Sequence, residues 1–277
     1  MLLDHGANTD TEDDQGGTPL HAVSHGTHNS QECGVSIARL LLEQGVDVNA
    51  QMKDKATPLH MVAFSGNVEL ARVLLDLGAD AHAVDELGET PLHRVSHREY
   101  DSQEDGIRIA RLLLERGVDV NTPSKTNYTP LHTAAFNGRL EIAQVLLDHD
   151  ASANEKDDLG ETPLHKVSRG EYESQDNGVG IARLLLKHNV DVHAPNIDNN
   201  TALHLAALCG RLEISQVLLD NGASPNVENE WGETPLHVAA RGEYDFQEDG
   251  VGNAQPLLKQ GLDVGPQVRQ VLCFVLK

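Results

Sequence analysis

Histidine is the residue here whose number and spacing could do chemistry. The 277-residue chain has 15 of them, and seven end the same tetrapeptide. His21, His60, His93, His132, His165 and His237 close Thr-Pro-Leu-His, and His204 closes Thr-Ala-Leu-His. Imidazoles can hold metals or move protons. A shared ion needs several ligands at about 2 Å, and one histidine per recurring unit stands too far from the next. Their fixed place suits hydrogen bonding that ties one unit to another. His21, His25, His28 and Cys33 are the one local His/Cys cluster with ligand types for Zn²⁺, but the set is not repeated together elsewhere. Asp101, Glu104 and Asp105 offer carboxylates to Ca²⁺ without the alternating spacing of a calcium loop. Ser, His and Asp recur with the unit, as structural residues do. No nucleophile elbow, phosphate loop, His-Glu-x-x-His or Cys-x-x-Cys occurs. The expectation is a protein that is not an enzyme and needs no cofactor or metal.

The elements that carry these residues follow from the period. The motif threonines are Thr18, Thr57, Thr90, Thr129, Thr162, Thr201 and Thr234, spaced 39, 33, 39, 33, 39 and 33. The unit of duplication is a 72-residue pair, one long repeat and one short. Residues 90–128 and 162–200 share 22 identities in 39 positions. Thr is a good helix N-cap, and Pro suits the first helical turn. The run Thr57–Phe64 therefore predicts a short helix ended near Gly66. Val68–Leu75 has helical apolar spacing and predicts a second helix closed by Gly78. The Asp- and Gly-rich stretch before the next Thr predicts a tight turn.

Composition narrows the class. Asp and Glu number 43 against 21 Lys and Arg, a formal charge of -22, and aromatics are 3%. Acidity repels phosphate backbones, so no nucleic-acid partner is expected. Three scattered cysteines fit a reducing compartment. No apolar run reaches the roughly 18 residues that a membrane span needs, and no signal peptide is visible. An intracellular location, cytoplasmic or nuclear, without a membrane partner is expected.

Six copies of Thr-Pro-Leu-His and one of Thr-Ala-Leu-His, each followed by two helices, with Gly-Ala-Asp and Asp-x-x-Gly-x-Thr between units, resemble the ankyrin repeat. The resemblance covers about residues 18–264 and implies an all-α repeat solenoid of stacked helix-turn-helix units with β-hairpin-like fingers. The domain reading is the end of a truncated repeat at 1–12 and a repeat domain at 13–264. Its repeats are 13–51, 52–84, 85–123, 124–156, 157–195, 196–228 and 229–264, with an irregular tail at 265–277. Met1–Ala7 reads like the end of a second helix, and Pro256 interrupts the last one. The resemblance also implies that Asn49 and Asn121 match hairpin asparagines that oxygenases hydroxylate in this family.

Family members meet partners with the fingers and first helices, along a concave face. Carried over, this picks the fourth residue after each motif His. These are Phe64, Phe136 and Leu208 in short repeats, and His25, His97, Arg169 and Arg241 in long ones. On the long-repeat fingers it picks Leu87, Leu159 and Trp231 with their neighbouring acids Glu89, Glu161 and Glu233. The short-repeat fingers lack the turn Gly, so their geometry is left open. The six extra residues of the long repeats read as a lengthened helix start or as a contact ledge, the ledge resting on Tyr100, Tyr172 and Tyr244. Fingers and inserts together hold 24 acids and four bases. The expected function is a non-catalytic scaffold or adaptor for a protein partner, with a basic segment favoured. The alternative is a regulatory or substrate-targeting segment of a larger enzyme.

Overall fold

The computed structural model describes residues 7–26, 31–97, 103–170 and 175–241. They hold thirteen helices and no strand. Short first helices alternate with second helices. The first helices are α1 (Pro19–Ser24), α3 (Pro58–Ser65), α5 (Pro91–His97), α7 (Pro130–Phe136), α9 (Pro163–Arg169), α11 (Ala202–Leu208) and α13 (Pro235–Arg241). The second helices are α2 (Gln31–Glu43), α4 (Val68–Asp76), α6 (Gln103–Glu115), α8 (Leu140–Asp148), α10 (Gln175–Lys187) and α12 (Leu212–Asp220). Long repeats carry 13-residue second helices and short repeats nine-residue ones. The last four residues of each of the first three inserts thus form an extra first helical turn. Residues 27–30, 98–102 and 171–174 of these inserts, with Tyr100 and Tyr172, lie outside the described residues. So do Tyr244, Pro256 and the tail.

Local chemistry sets the helix limits. Thr57 is extended (φ -99°, ψ 165°), Pro58 begins α3, and Gly66 ends it in the left-handed region at φ 86°. Asn67 caps α4, its side chain accepting the Leu70 N–H at 3.0 Å.

The chain divides into two compact units, Met1–Pro130 with Val145–Ala151, and Leu131–Gln144 with Ser152–Lys277. In the first, α1, α3 and α5 form one layer and α2, α4 and α6 the other. Leu20, Leu59 and Leu92 of the first layer and Leu70, Leu74, Ile109 and Leu113 of the second are wholly buried. Arg116 joins adjacent repeats. It donates to the Leu75 carbonyl at the end of α4 and pairs with Asp76, both at 2.7 Å. In the second unit α9, α11 and α13 stack in one layer, with α10 and α12 behind. There Arg211 donates to the Gly170 carbonyl at 2.6 Å. No helix among the described residues is long and apolar enough to cross a membrane.

Candidate functional site

The motif histidines join one repeat to the next. His60 Nδ1 accepts the Thr57 N–H at 3.1 Å, and its Nε2 lies 3.0 Å from the Glu89 carbonyl, 29 residues on. A backbone N–H only donates and a carbonyl only accepts. The ring is therefore neutral, with its proton on Nε2. The same two contacts recur at His21, His93, His165 and His204, reaching Ala56, Tyr128, Asn200 and Glu233. His132 Nε2 reaches the Glu161 carbonyl at 3.0 Å. Burial disfavours the charged ring and pushes His93 and His132 down to about 4. Six of the motif histidines are thus joints, His237 being described only with its own Thr234, and among the described residues no group of three His, Cys, Asp or Glu side chains could hold a metal.

Those joints seat the fingers. In residues 85–89 the Asp85 N–H donates to the Glu89 carbonyl and the Gly88 N–H to that of Asp85, both at 3.0 Å. Asp85 Oδ1 accepts the Leu87 and Glu89 N–H groups at 2.8 and 2.9 Å. Asp157, Asn196 and Asn229 repeat this arrangement. The fourth finger position needs a positive φ. Gly88, Gly160 and Gly232 adopt it at 76°, 68° and 70°. The short-repeat fingers close in the same turn without glycine, because Lys55, Asn127 and Asn199 occupy the left-handed region at 63°, 57° and 57°. Adjacent fingers pair through the backbone. Lys125 N–H donates to the Leu87 carbonyl at 2.9 Å in the first unit, and Ile197 N–H to that of Leu159 at 3.0 Å in the second.

The acids on these fingers divide into two kinds. Glu89 and Glu161, expected beside an incoming partner, are 8% and 2% exposed and are occupied within their own repeats. Glu89 pairs with His97 at 3.0 Å and Arg94 at 3.5 Å, and Arg94 also meets Asp85. Burial raises the Glu89 carboxyl, but the His97 hydrogen bond and the His97 and Arg94 charges outweigh it and hold it below its usual value. Glu161 pairs with Lys166 at 2.5 Å and Arg169 at 3.0 Å, and Lys166 reaches Asp157 at 2.5 Å. Glu233 pairs with Arg241 at 3.1 Å and accepts the Asn229 side-chain amide at 3.4 Å. Its finger begins with Asn229 rather than Asp, and Val238 stands where Lys166 and Arg94 stand. Acid and base are replaced together. His97, Arg169 and Arg241, picked as partner-facing residues of the first helices, are thus each tied to a finger glutamate. The other finger acids, Glu86, Asp158 and Glu230, are exposed.

The apolar fingertips remain open. Leu87 is 60% exposed in the first unit, and Leu159 and Trp231 are 44% and 58% exposed in the second. Ile197, on the finger between those two, is 60% exposed and was missed because its finger lacks the Asp-x-x-Gly pattern. On the first helices Phe64 and Phe136 are half-buried and Leu208 is exposed.

Comparisons with known proteins agree with this geometry. Family models for ankyrin repeats match residues 1–85, 22–123, 75–157 and 101–192 in three-copy form, and 181–239 in many-copy form. A Caenorhabditis elegans homolog of transient receptor potential cation channel subfamily A member 1 is 38% identical over 106 residues, which is 38% of this chain and 8% of that protein. Human ankyrin repeat and KH domain-containing protein 1 is 35% identical over 104 residues, 37% of this chain and 4% of that protein. The chain therefore spans less than a tenth of the length of either relative. The crystal structure of the human ASB11 ankyrin repeat domain superposes with a TM-score of 0.70 at 23% identity, covering 89% of this chain and 99% of that one.

Proposed function

The chain belongs to the ankyrin-repeat family, and we propose that it is a non-catalytic scaffold or adaptor that binds a protein partner along its fingers and first helices. Ankyrin repeats are in general protein-interaction modules. The observation that carries the reading is the exposed apolar fingertips, Leu87 in one unit and Leu159 and Trp231 in the other, on turns held by the buried Asp85, Asp157 and Asn229 side chains. Rigid presentation lowers the ordering cost of binding, and a lone exposed Trp suits a binding hot spot. Leu87, Leu159 and Trp231 are the anchors. Phe64, Phe136 and Leu208 line the first helices beside them, and Tyr100, Tyr172 and Tyr244 form the proposed ledge. The partner-facing charge comes from Glu86, Asp158 and Glu230, because Glu89, Glu161 and Glu233 are engaged with His97, Arg94, Lys166, Arg169 and Arg241. Three exposed acids next to the anchors favour a basic segment and speed its encounter. Neither nucleic acid nor membrane is a partner in this reading, and the place of action is intracellular.

Affinity capture with the intact chain beside a Leu87→Ala/Leu159→Ala/Trp231→Ala variant tests it. Loss of specific partners in the variant supports the fingertips, and identical partner sets remove them. A second reading remains as the alternative. In it these repeats are the regulatory or substrate-targeting segment of a larger enzyme. Co-purification of an activity carried on the same polypeptide would select that reading.

A further inference from the structure

Lys55 is out of place in its turn. The fourth finger position takes a positive φ throughout, and the other fingers put Gly or Asn there: Gly16, Gly88, Asn127, Gly160, Asn199 and Gly232. Glycine has no Cβ to clash, and a short Asn side chain can bond locally. Lysine has neither advantage, yet Lys55 holds φ 63°. An unfavourable backbone conformation that keeps its side chain points to a use for that side chain.

The use is a pocket. Lys55 lines an open concavity of about 680 Å³ between fingers 52–56 and 124–128, within the first compact unit. His82 and Lys125 line it too. All three side chains are exposed, and none has an ion pair or hydrogen bond among the described residues. Lys53 and Lys156, by contrast, donate to backbone carbonyls. Two acids also line the concavity. Asp85 is paired with Arg94, and Asp80 Oδ1 accepts the backbone N–H of His82 at 2.9 Å. One 72-residue step along the chain, the positions of Lys55, His82 and Lys125 hold Asn127, Asn154 and Ile197. The nitrogen-bearing set therefore belongs to this pocket and not to the repeat. In a chain with a formal charge of -22, two ammoniums around one concavity mark an anion site.

We propose that this pocket is a site for one phosphoryl group, carried on a side chain of the segment that the fingers bind. A phosphate monoester carries a charge of about -2 near neutral pH, which matches two ammoniums. A single carboxylate would leave one of them uncompensated. Lysine takes phosphate as a point charge, and the His82 ring adds an N–H donor. The exposed acids Asp54 and Glu86 stand on the fingers beside the pocket, where the Glu86 N–H donates to the Asp54 carbonyl at 2.6 Å. They repel an extended polyanion and favour a carrier that is otherwise basic. The carrier rests on the proposed function, whereas the pocket stands without it.

The test titrates phenyl phosphate into the isotope-labelled chain at about pH 7.5, where the ester is a dianion, and follows the amide resonances. Saturable shifts centred on Lys55, His82 and Lys125 are expected, with binding at least about fivefold tighter than that of benzoate. Lys55→Asn with His82→Asn and Lys125→Ile copies the chain's own residues one step along. It should weaken binding at least about tenfold while keeping the melting temperature within about 2 °C. Lys125→Ile alone, with a loss of about threefold, serves if the triple variant misfolds. Shifts centred elsewhere, equal binding by the variant, or benzoate binding as tightly overturns the pocket. A short Lys/Ala peptide bearing one phosphoserine should bind at least about tenfold tighter than the same peptide without phosphate. Free O-phosphoserine that binds as tightly as that peptide overturns the carrier. None of these measurements alters Leu87, Leu159 or Trp231. Their failure therefore leaves the fingertip reading standing, and unchanged partner sets in the fingertip variant leave the pocket standing.

Discussion

Lys166 Nζ lies 2.5 Å from Glu161 Oε2, with the lysine side chain 0% and the glutamate side chain 2% exposed. Asp157 Oδ2 lies equally close to the same ammonium. Burying a charge in such a place is costly unless its partners are fixed around it. The pair clamps the finger carrying Leu159 to helix α9, as Arg94 clamps that of Leu87 to α5. The finger of Trp231 uses the uncharged version, Asn229 with Val238.

Removing one partner of this cluster is therefore costly. Lys166→Val should destabilise the protein by about 3–5 kcal/mol, because Asp157 is left buried and unpaired. Lys166→Val with Asp157→Asn copies the Asn229 and Val238 pairing. It should recover most of the loss, since an amide oxygen still accepts the Leu159 and Glu161 N–H groups as Asn229 does for its own finger. Urea unfolding of the three proteins measures the coupling. Additive losses would show that the cluster is not a unit.

The motif histidines predict an acid limit. His93 and His132 are pushed down to about 4 in the folded protein, against about 6.5 unfolded. Between those values the unfolded chain binds the proton first, so the stability these rings contribute is complete above pH 6.5 and falls as pH drops towards 4. Each contributes on the order of 3 kcal/mol over that window. Urea midpoints measured from pH 7.5 to 4.5 should decline steadily. Ring resonances of His93 and His132 that titrate near 6.5 in the folded protein would contradict this.

The fingers predict opposite signs for two substitutions. Gly88 has φ 76°, and a Cβ there would meet the Lys125 backbone nitrogen at 2.9 Å. Gly88→Ala should cost more than about 1 kcal/mol. Lys55 holds the equivalent left-handed position with a side chain, at φ 63°. Lys55→Gly should be neutral to stabilising, by up to about 1 kcal/mol, as it relieves that conformation. Thermal melts of the two single variants decide both.

Trp231 is the sole tryptophan and is 58% exposed. Its emission should lie near that of tryptophan in water and be quenched readily by acrylamide. A partner seated on this finger shifts the emission to shorter wavelength and protects it from quencher. Added sodium chloride should reverse the shift if Asp158 and Glu230 steer a basic partner. A bound partner that leaves the emission unchanged does not use this finger.

Much of the molecule was legible before folding. The 33- and 39-residue spacing marked the repeats, Thr and Pro marked the helix starts, and the recurrence of histidine marked it as a joint rather than a ligand. These are local or periodic signals, and each repeat restates them. The missing turn glycines were no obstacle, because asparagine, and even Lys55, accepts the left-handed conformation that the turn imposes.

The division of the acids was not legible in that way. Glu86 and Glu89 stand three residues apart on one finger, yet one is exposed and the other is buried against Arg94 and His97. Only the folding of the finger back onto α5 brings residues five and eight apart into contact. The joint replacement of Asp and Lys by Asn and Val in the last repeat was the one sequence signal of that contact. Likewise the hexapeptide Ile-Ala-Arg-Leu-Leu-Leu reads the same in α2, α6 and α10, and tertiary structure alone decides that Ile37 and Leu40 lie open while Ile109 and Leu112 are buried. Sequence sets what a residue can do locally. Burial depends on which neighbour arrives, and that is a property of the packed repeats.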